Sequence, residues 1–66
     1  MAVAKIIEIS AESDSSFEDA VRRGILKATD TVKNIRSAWI KDHEVLVKGG
    51  EVEKYRVHLK VTFVLD

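Results

Sequence analysis

The clearest pattern in the chain is the alternation along 53–65, EKYRVHLKVTFVL. Tyr55, Val57, Leu59, Val61, Phe63 and Leu65 share one parity, while Arg56, His58, Lys60 and Thr62 share the other. A strand sends successive side chains to opposite faces, so this stretch predicts a long strand with one apolar and one cationic face. Residues 2–9, AVAKIIEI, are rich in Val and Ile and predict a first strand. Its alternation is imperfect, because Ile6 and Ile7 face opposite sides, and both faces are expected to be partly buried. Residues 10–16, SAESDSS, are small, polar and acidic and break the pattern. A helix is expected over 16–33, where Phe17, Ala20, Val21, Gly24, Ile25, Ala28 and Val32 recur at three- and four-residue steps and form one stripe. Arg22, Arg23, Lys27, Asp30 and Lys33 lie mostly off that stripe. Residues 35–47, IRSAWIKDHEVLV, predict a second strand, and 48–51, KGGE, a tight turn in which Gly49 and Gly50 accept positive φ.

Local chemistry refines these elements. Ser15-Ser16-Phe17-Glu18 has capping-box form, with the Ser15 hydroxyl accepting from the Glu18 backbone N–H. Asp14, Glu18 and Asp19 put negative charge at the positive end of the helix. The alternative is a calcium loop using Glu12, Asp14 and a serine oxygen; calcium takes 6 to 8 oxygens, and the EF-hand spacing with its central Gly is missing. Gly24 lies on the apolar stripe, which points to close packing on the sheet rather than to a helix end. Asn34 is the expected helix stop. Arg23 and Lys27 suit the helix dipole, and a phosphate clamp is the functional alternative.

If Gly49 and Gly50 form a two-residue loop, the hairpin register follows. Ala38 then meets Val61, Ile40 meets Leu59 and Asp42 meets Val57 on the apolar face, which carries the helix. On the other face Ser37 meets Thr62, Trp39 meets Lys60, Lys41 meets His58 and His43 meets Arg56. A β-bulge would shift this register. The only tryptophan therefore stands on the cationic face. One helix cannot cover both sides of a three-stranded sheet, so the Trp39 face is either a subunit interface or a binding surface for a planar ligand with a phosphate near the basic groups.

Size and composition narrow the classes. The chain has 66 residues and no cysteine, and its eleven basic residues balance eleven acidic ones. A single domain this small is marginal alone; without disulfides or thiolate zinc sites, oligomerisation is the remedy left. No apolar run approaches the roughly 20 residues of a membrane span. The N-terminal stretch is too short for a signal peptide, so a cytoplasmic location is the expectation. Zero net charge and one aromatic on the basic face rank nucleic-acid binding last. An enzyme is not expected: there is no cysteine nucleophile and no serine in a nucleophile elbow. Alternation also throws Asp42 and Glu44 away from the histidine face. His43 and His58 would be diagonal neighbours, but no third metal ligand is evident.

The order strand, capped helix, long hairpin resembles the dodecin family over almost the whole chain. The resemblance is carried by VAKIIEISAES at the start, the SFEDAV helix opening, ATDTVKNIRSAWIKD across the helix end and second strand, and EKYRVHLKVTFVLD at the close. It implies an α+β chain of order β-α-β-β, with a three-stranded antiparallel sheet partly wrapped around one helix, assembling with itself into a hollow dodecamer. It also implies storage of a small molecule, with flavin (FMN or riboflavin) and coenzyme A as candidates. The family's stacking tryptophan falls on Ser37, and its ring-edge glutamine falls on Arg56. Trp39 lies two residues beyond, on the same expected face. The implied binding face is therefore Ser37, Trp39, Arg56 and His58. Members without the aromatic residue depart from usual flavin binding, and one such branch is associated with calcium.

Overall fold

The structure is a computed structural model and describes residues 3–65. Its elements are β1 (Val3–Ser13), α1 (Phe17–Ala28), β2 (Ile35–Lys48) and β3 (Glu51–Leu65). They form one antiparallel sheet of order β1-β3-β2. The strictest alternator, β3, takes the centre, where both of its edges are paired. Its inward Val57, Leu59 and Val61 are fully buried. They form the core with Ala20, and Ile7, Ile9, Ala11, Phe17, Val21, Ile25 and Ile35 pack around it. The expected β-α-β-β order and the expected helix stripe are both present.

Three boundaries around β1 and α1 differ from expectation. First, β1 continues to Ser13 instead of stopping at residue 9; its expected start at Ala2 lies outside the described residues. Ser10, Ala11, Glu12 and Ser13 are weak strand formers, but β3 is long enough to hold them through His58, Val57, Arg56 and Tyr55. Second, the helix cap is Ser16 rather than Ser15. The Asp19 backbone N–H donates to Ser16 Oγ at 3.0 Å. The neighbouring hydroxyl of Ser13 is buried; it donates to Asp19 Oδ2 at 2.6 Å and accepts from the Ser15 backbone N–H at 2.9 Å. Third, the helix ends at Ala28, short of the expected Lys33. There Thr29 Oγ1 donates to the Leu26 carbonyl at 2.6 Å, and the backbone N–H groups of Asp30 and Thr31 donate to the carbonyls of Lys27 and Ala28. Side chains of this kind compete with the helical ladder. Asn34 does take the left-handed conformation, with φ 62°, but it acts as the entry to β2, where its carbonyl accepts from the Val64 N–H.

At Gly24 the helix and sheet approach closely. A Cβ there would stand 3.0 Å from Ala11 Cβ and 3.4 Å from Leu59 Cδ1. Gly49 and Gly50 both have positive φ, as the turn requires.

The hairpin register holds at both ends and shifts in the middle. Ser37–Thr62, Ala38–Val61, Trp39–Lys60 and Ile40–Leu59 pair as expected, as do Lys48 and Glu51. A bulge at Lys41 then puts Asp42 opposite His58, His43 opposite Val57 and Glu44 opposite Arg56. A compensating bulge at Glu53 on β3 restores the register before the turn. The expected pairs Lys41–His58, His43–Arg56 and Asp42–Val57 are therefore not formed. A third bulge, at Arg36, turns Ile35 inward against Phe63 while Ser37 stays outward.

Candidate functional site

The sheet face opposite the helix collects the even positions of β3. Ser37 and Trp39 of β2 stand here as expected, beside Thr62 and Lys60, and β1 adds Ile6 opposite Thr62 and Glu8 opposite Lys60. Trp39 is 71% exposed and Ile6 59%. The Lys60 ammonium lies 5.6 Å from the centroid of the Trp39 ring, within cation–π range. Small neighbours at Ser37 and Thr62 leave the indole standing as an open platform.

The other half of the face is a lattice of ion pairs rather than a basic patch. The bulge at Lys41 brings Glu44 to the same side as Arg56 and His58, which reverses the expectation that alternation would remove it. His58 Nε2 lies 3.0 Å from Glu44 Oε1, and Arg56 Nη1 donates to the same oxygen at 3.1 Å. Arg56 Nε and Nη2 both donate to Glu12 Oε2. Lys54 lies 3.8 Å from the other Glu12 oxygen, and Lys41 reaches across β3 to Glu8 at 3.1 Å. His43 goes to the helix side, where its ring meets Phe17 edge-on at 4.9 Å.

These contacts set the protonation states. The hydrogen bond with His58, and then that from Arg56, hold the Glu44 carboxyl below its ordinary value. Lys41 does the same for Glu8. Glu12 and then Glu44 raise the already basic Arg56 further. A carboxylate whose pKa is depressed on folding contributes stability that is fully present above its ordinary value, 4.5 for Glu44, and is lost as pH falls through the lower folded value. Thermal unfolding followed from about pH 7 down to pH 3 should therefore fall below about pH 4.5, and Glu44→Gln should flatten part of that fall. An identical acid limb in the variant would show that Glu44 has no part in it.

The four residues expected to form the binding face are thus split. Ser37 and Trp39 are together. Arg56 is four residues from Lys60 along β3, so it lies ~13 Å away from the indole's register position. All three of its donating nitrogens serve Glu12 and Glu44, so it is not placed as a ring-edge reader. Glu8 was not singled out from the sequence, Glu12 was named only for a calcium loop, and Glu44 was expected on the opposite face. The alternation of Glu8, Ser10 and Glu12 with Ile7, Ile9 and Ala11 carries the signal for the first two, whereas Glu44 depends on the bulge. The calcium-loop alternative is not assembled within one chain: Glu12 faces Arg56, and the Ser13 hydroxyl serves the helix cap. Among the described residues, no group of three or more His, Cys, Asp or Glu is placed to hold a metal ion. Arg23 and Lys27 face Asp19 and Asp30 at 2.7 and 4.0 Å, which argues against a phosphate clamp. No helix among the described residues is long and apolar enough to cross a membrane.

Comparison with known proteins is consistent along the whole chain. The family profile described as dodecin matches residues 3–66. The calcium dodecin of Mycobacterium tuberculosis is 33% identical over 63 residues, covering 96% of this chain and 89% of that protein. Its crystal structure, of a calcium-chelating antigen with a novel calcium-binding site, superposes with a TM-score of 0.85 at 31% identity, covering 97% and 91% of the two chains. The dodecin from Streptomyces davaonensis superposes with a TM-score of 0.94 at 25% identity, covering 98% and 96%.

Proposed function

The chain belongs to the dodecin family, and from that premise we propose that it assembles with itself into a dodecameric shell that stores a small planar ligand on Trp39. The observation that carries this reading is the 71% exposed indole on an open platform, framed by Ile6, Ser37, Thr62 and Lys60. An exposed tryptophan offers a large, rigid stacking surface at little entropic cost. Flavins (riboflavin and FMN) are the first candidates, and coenzyme A, through its adenine ring, is another.

Assembly has its own support. The helix packs on β1 and β3, and the inward side of β2 stays open, with Leu26 64% and Ile40 39% exposed. A chain of 66 residues that leaves such surface in water gains most by burying it against further copies.

The test is a column run with light-scattering mass detection and absorption, repeated after mixing with riboflavin or FMN. A twelve-subunit mass that co-elutes with quenched flavin is expected. Trp39→Ala should keep the mass and lose at least about tenfold in flavin affinity, as loss of a stacking contact implies. Loss of the assembly in that variant would instead make Trp39 an interface anchor.

A second reading rests on the calcium dodecin relative. Here calcium ions join copies of the chain, with carboxylates such as the exposed Asp14 contributed by more than one copy. It predicts a colourless assembly whose melting temperature drops in chelator and recovers with calcium.

A further inference from the structure

We propose that Lys60 is the specificity residue of the Trp39 platform, and that it selects planar ligands carrying an anionic group, a phosphate above all, over neutral ones. The inference rests on the stacking reading given above and adds to it the charge of the ligand.

The argument is one of charge accounting on a single face. β3 sends Lys54, Arg56, His58 and Lys60 outward. Lys54 lies 3.8 Å from Glu12, Arg56 is shared by Glu12 and Glu44, and His58 lies 3.0 Å from Glu44. Lys60 differs from all three: among the described residues no carboxylate lies within ion-pair distance of its ammonium. Its cross-strand partner is Glu8, but that carboxylate is taken by Lys41 from the other edge of the sheet at 3.1 Å. The ammonium is left over the face of the indole, 5.6 Å from the ring centroid. The one cation of this β3 row without an ion pair among the described residues, which acts on Glu8 only at longer range, thus stands at the rim of the stacking platform.

A ring stacked on Trp39 must share the indole with this ammonium or push it aside. A long, flexible lysine moves at little cost, and it gains more by moving if the ligand brings an anion to meet it. A neutral ligand offers no such compensation and displaces the cation–π contact without return. The platform therefore discriminates by charge, and Lys41 assists by keeping Glu8 occupied.

The experiment compares riboflavin with FMN, which share one ring and differ in the phosphate, by quenching of flavin fluorescence on the assembled protein. A charge-assisted contact of ordinary strength makes FMN bind about tenfold more tightly than riboflavin at low salt. The ratio should narrow in about 0.5 M salt, as screening requires. Lys60→Gln should bring it to about one, and Lys60→Arg, which keeps the charge, should preserve it. Equal affinities in the unmodified protein, or a ratio that survives Lys60→Gln, would overturn the role of Lys60 while leaving the platform standing. Failure of both flavins to bind would remove the platform itself, and the inference with it.

Discussion

Gly24→Leu is expected to unfold the subunit or to lower its melting temperature sharply. Even the first atom of a side chain there would stand 3.0 Å from Ala11 Cβ, against the backbone-anchored methyl of a neighbouring strand. That atom cannot swing away as the end of a long side chain can. Overpacking of a tight core costs about 1–3 kcal/mol or more. The total stability of a domain of this size is only roughly 3–10 kcal/mol. Leucine would also have to place its remaining atoms between α1 and β1, and the helix would have to lift off the sheet. The measurement is thermal unfolding by circular dichroism at a fixed protein concentration, because the proposed assembly would make the midpoint concentration-dependent. An unchanged midpoint would mean that α1 does not lie on β1 through this face.

Leu59→Ala is expected to cost about 2–5 kcal/mol, the range for truncating a fully buried leucine. Leu59 is 1% exposed at the centre of the middle strand, so the surrounding strands on both sides limit collapse into the space left. The same side chain is the second neighbour of the missing Gly24 side chain, with Leu59 Cδ1 3.4 Å from that position. The double substitution Gly24→Ala with Leu59→Ala should therefore be less damaging than its two parts added together, because the truncation makes room for the new methyl. Strict additivity, read from chemical denaturation midpoints and slopes, would show that the two positions do not share a space.

The fold was readable because its strongest signal was also its most central element. β3 alternates without a break from Tyr55 to Phe63, and a strand buried on one face and paired on both edges is the one most tightly bound to that pattern. Gly49-Gly50 fixed the turn, and the Trp39–Lys60 pair followed from it. The ion-pair lattice was not readable for two separate reasons. Ser10, Ala11, Glu12 and Ser13 carry no strand propensity of their own and become strand through pairing with β3, so Glu12 had no predicted face. In β2, Lys41 looks like one more step of an alternation, and nothing local marks it as the residue the ladder skips. One skipped residue exchanges the destinations of His43 and Glu44. Sequence reading therefore gave two histidines on one face, whereas the chain has a histidine against Phe17 on one side and a histidine–glutamate–arginine cluster on the other.

The paired bulges at Lys41 and Glu53 make the middle of the hairpin a unit that can be inverted independently of its ends. Pairing Lys41 with His58 and Glu53 with Leu46 would straighten the ladder, returning Glu44 to the helix side and His43 to the outer face. The Trp39 platform below and the Gly49-Gly50 tip above would keep their register. A register shift confined to the stretch between the two bulges thus trades an acidic lining for an imidazole lining on the outer face. The charge character of the middle of that face is thereby set separately from its Trp39 end and from the turn.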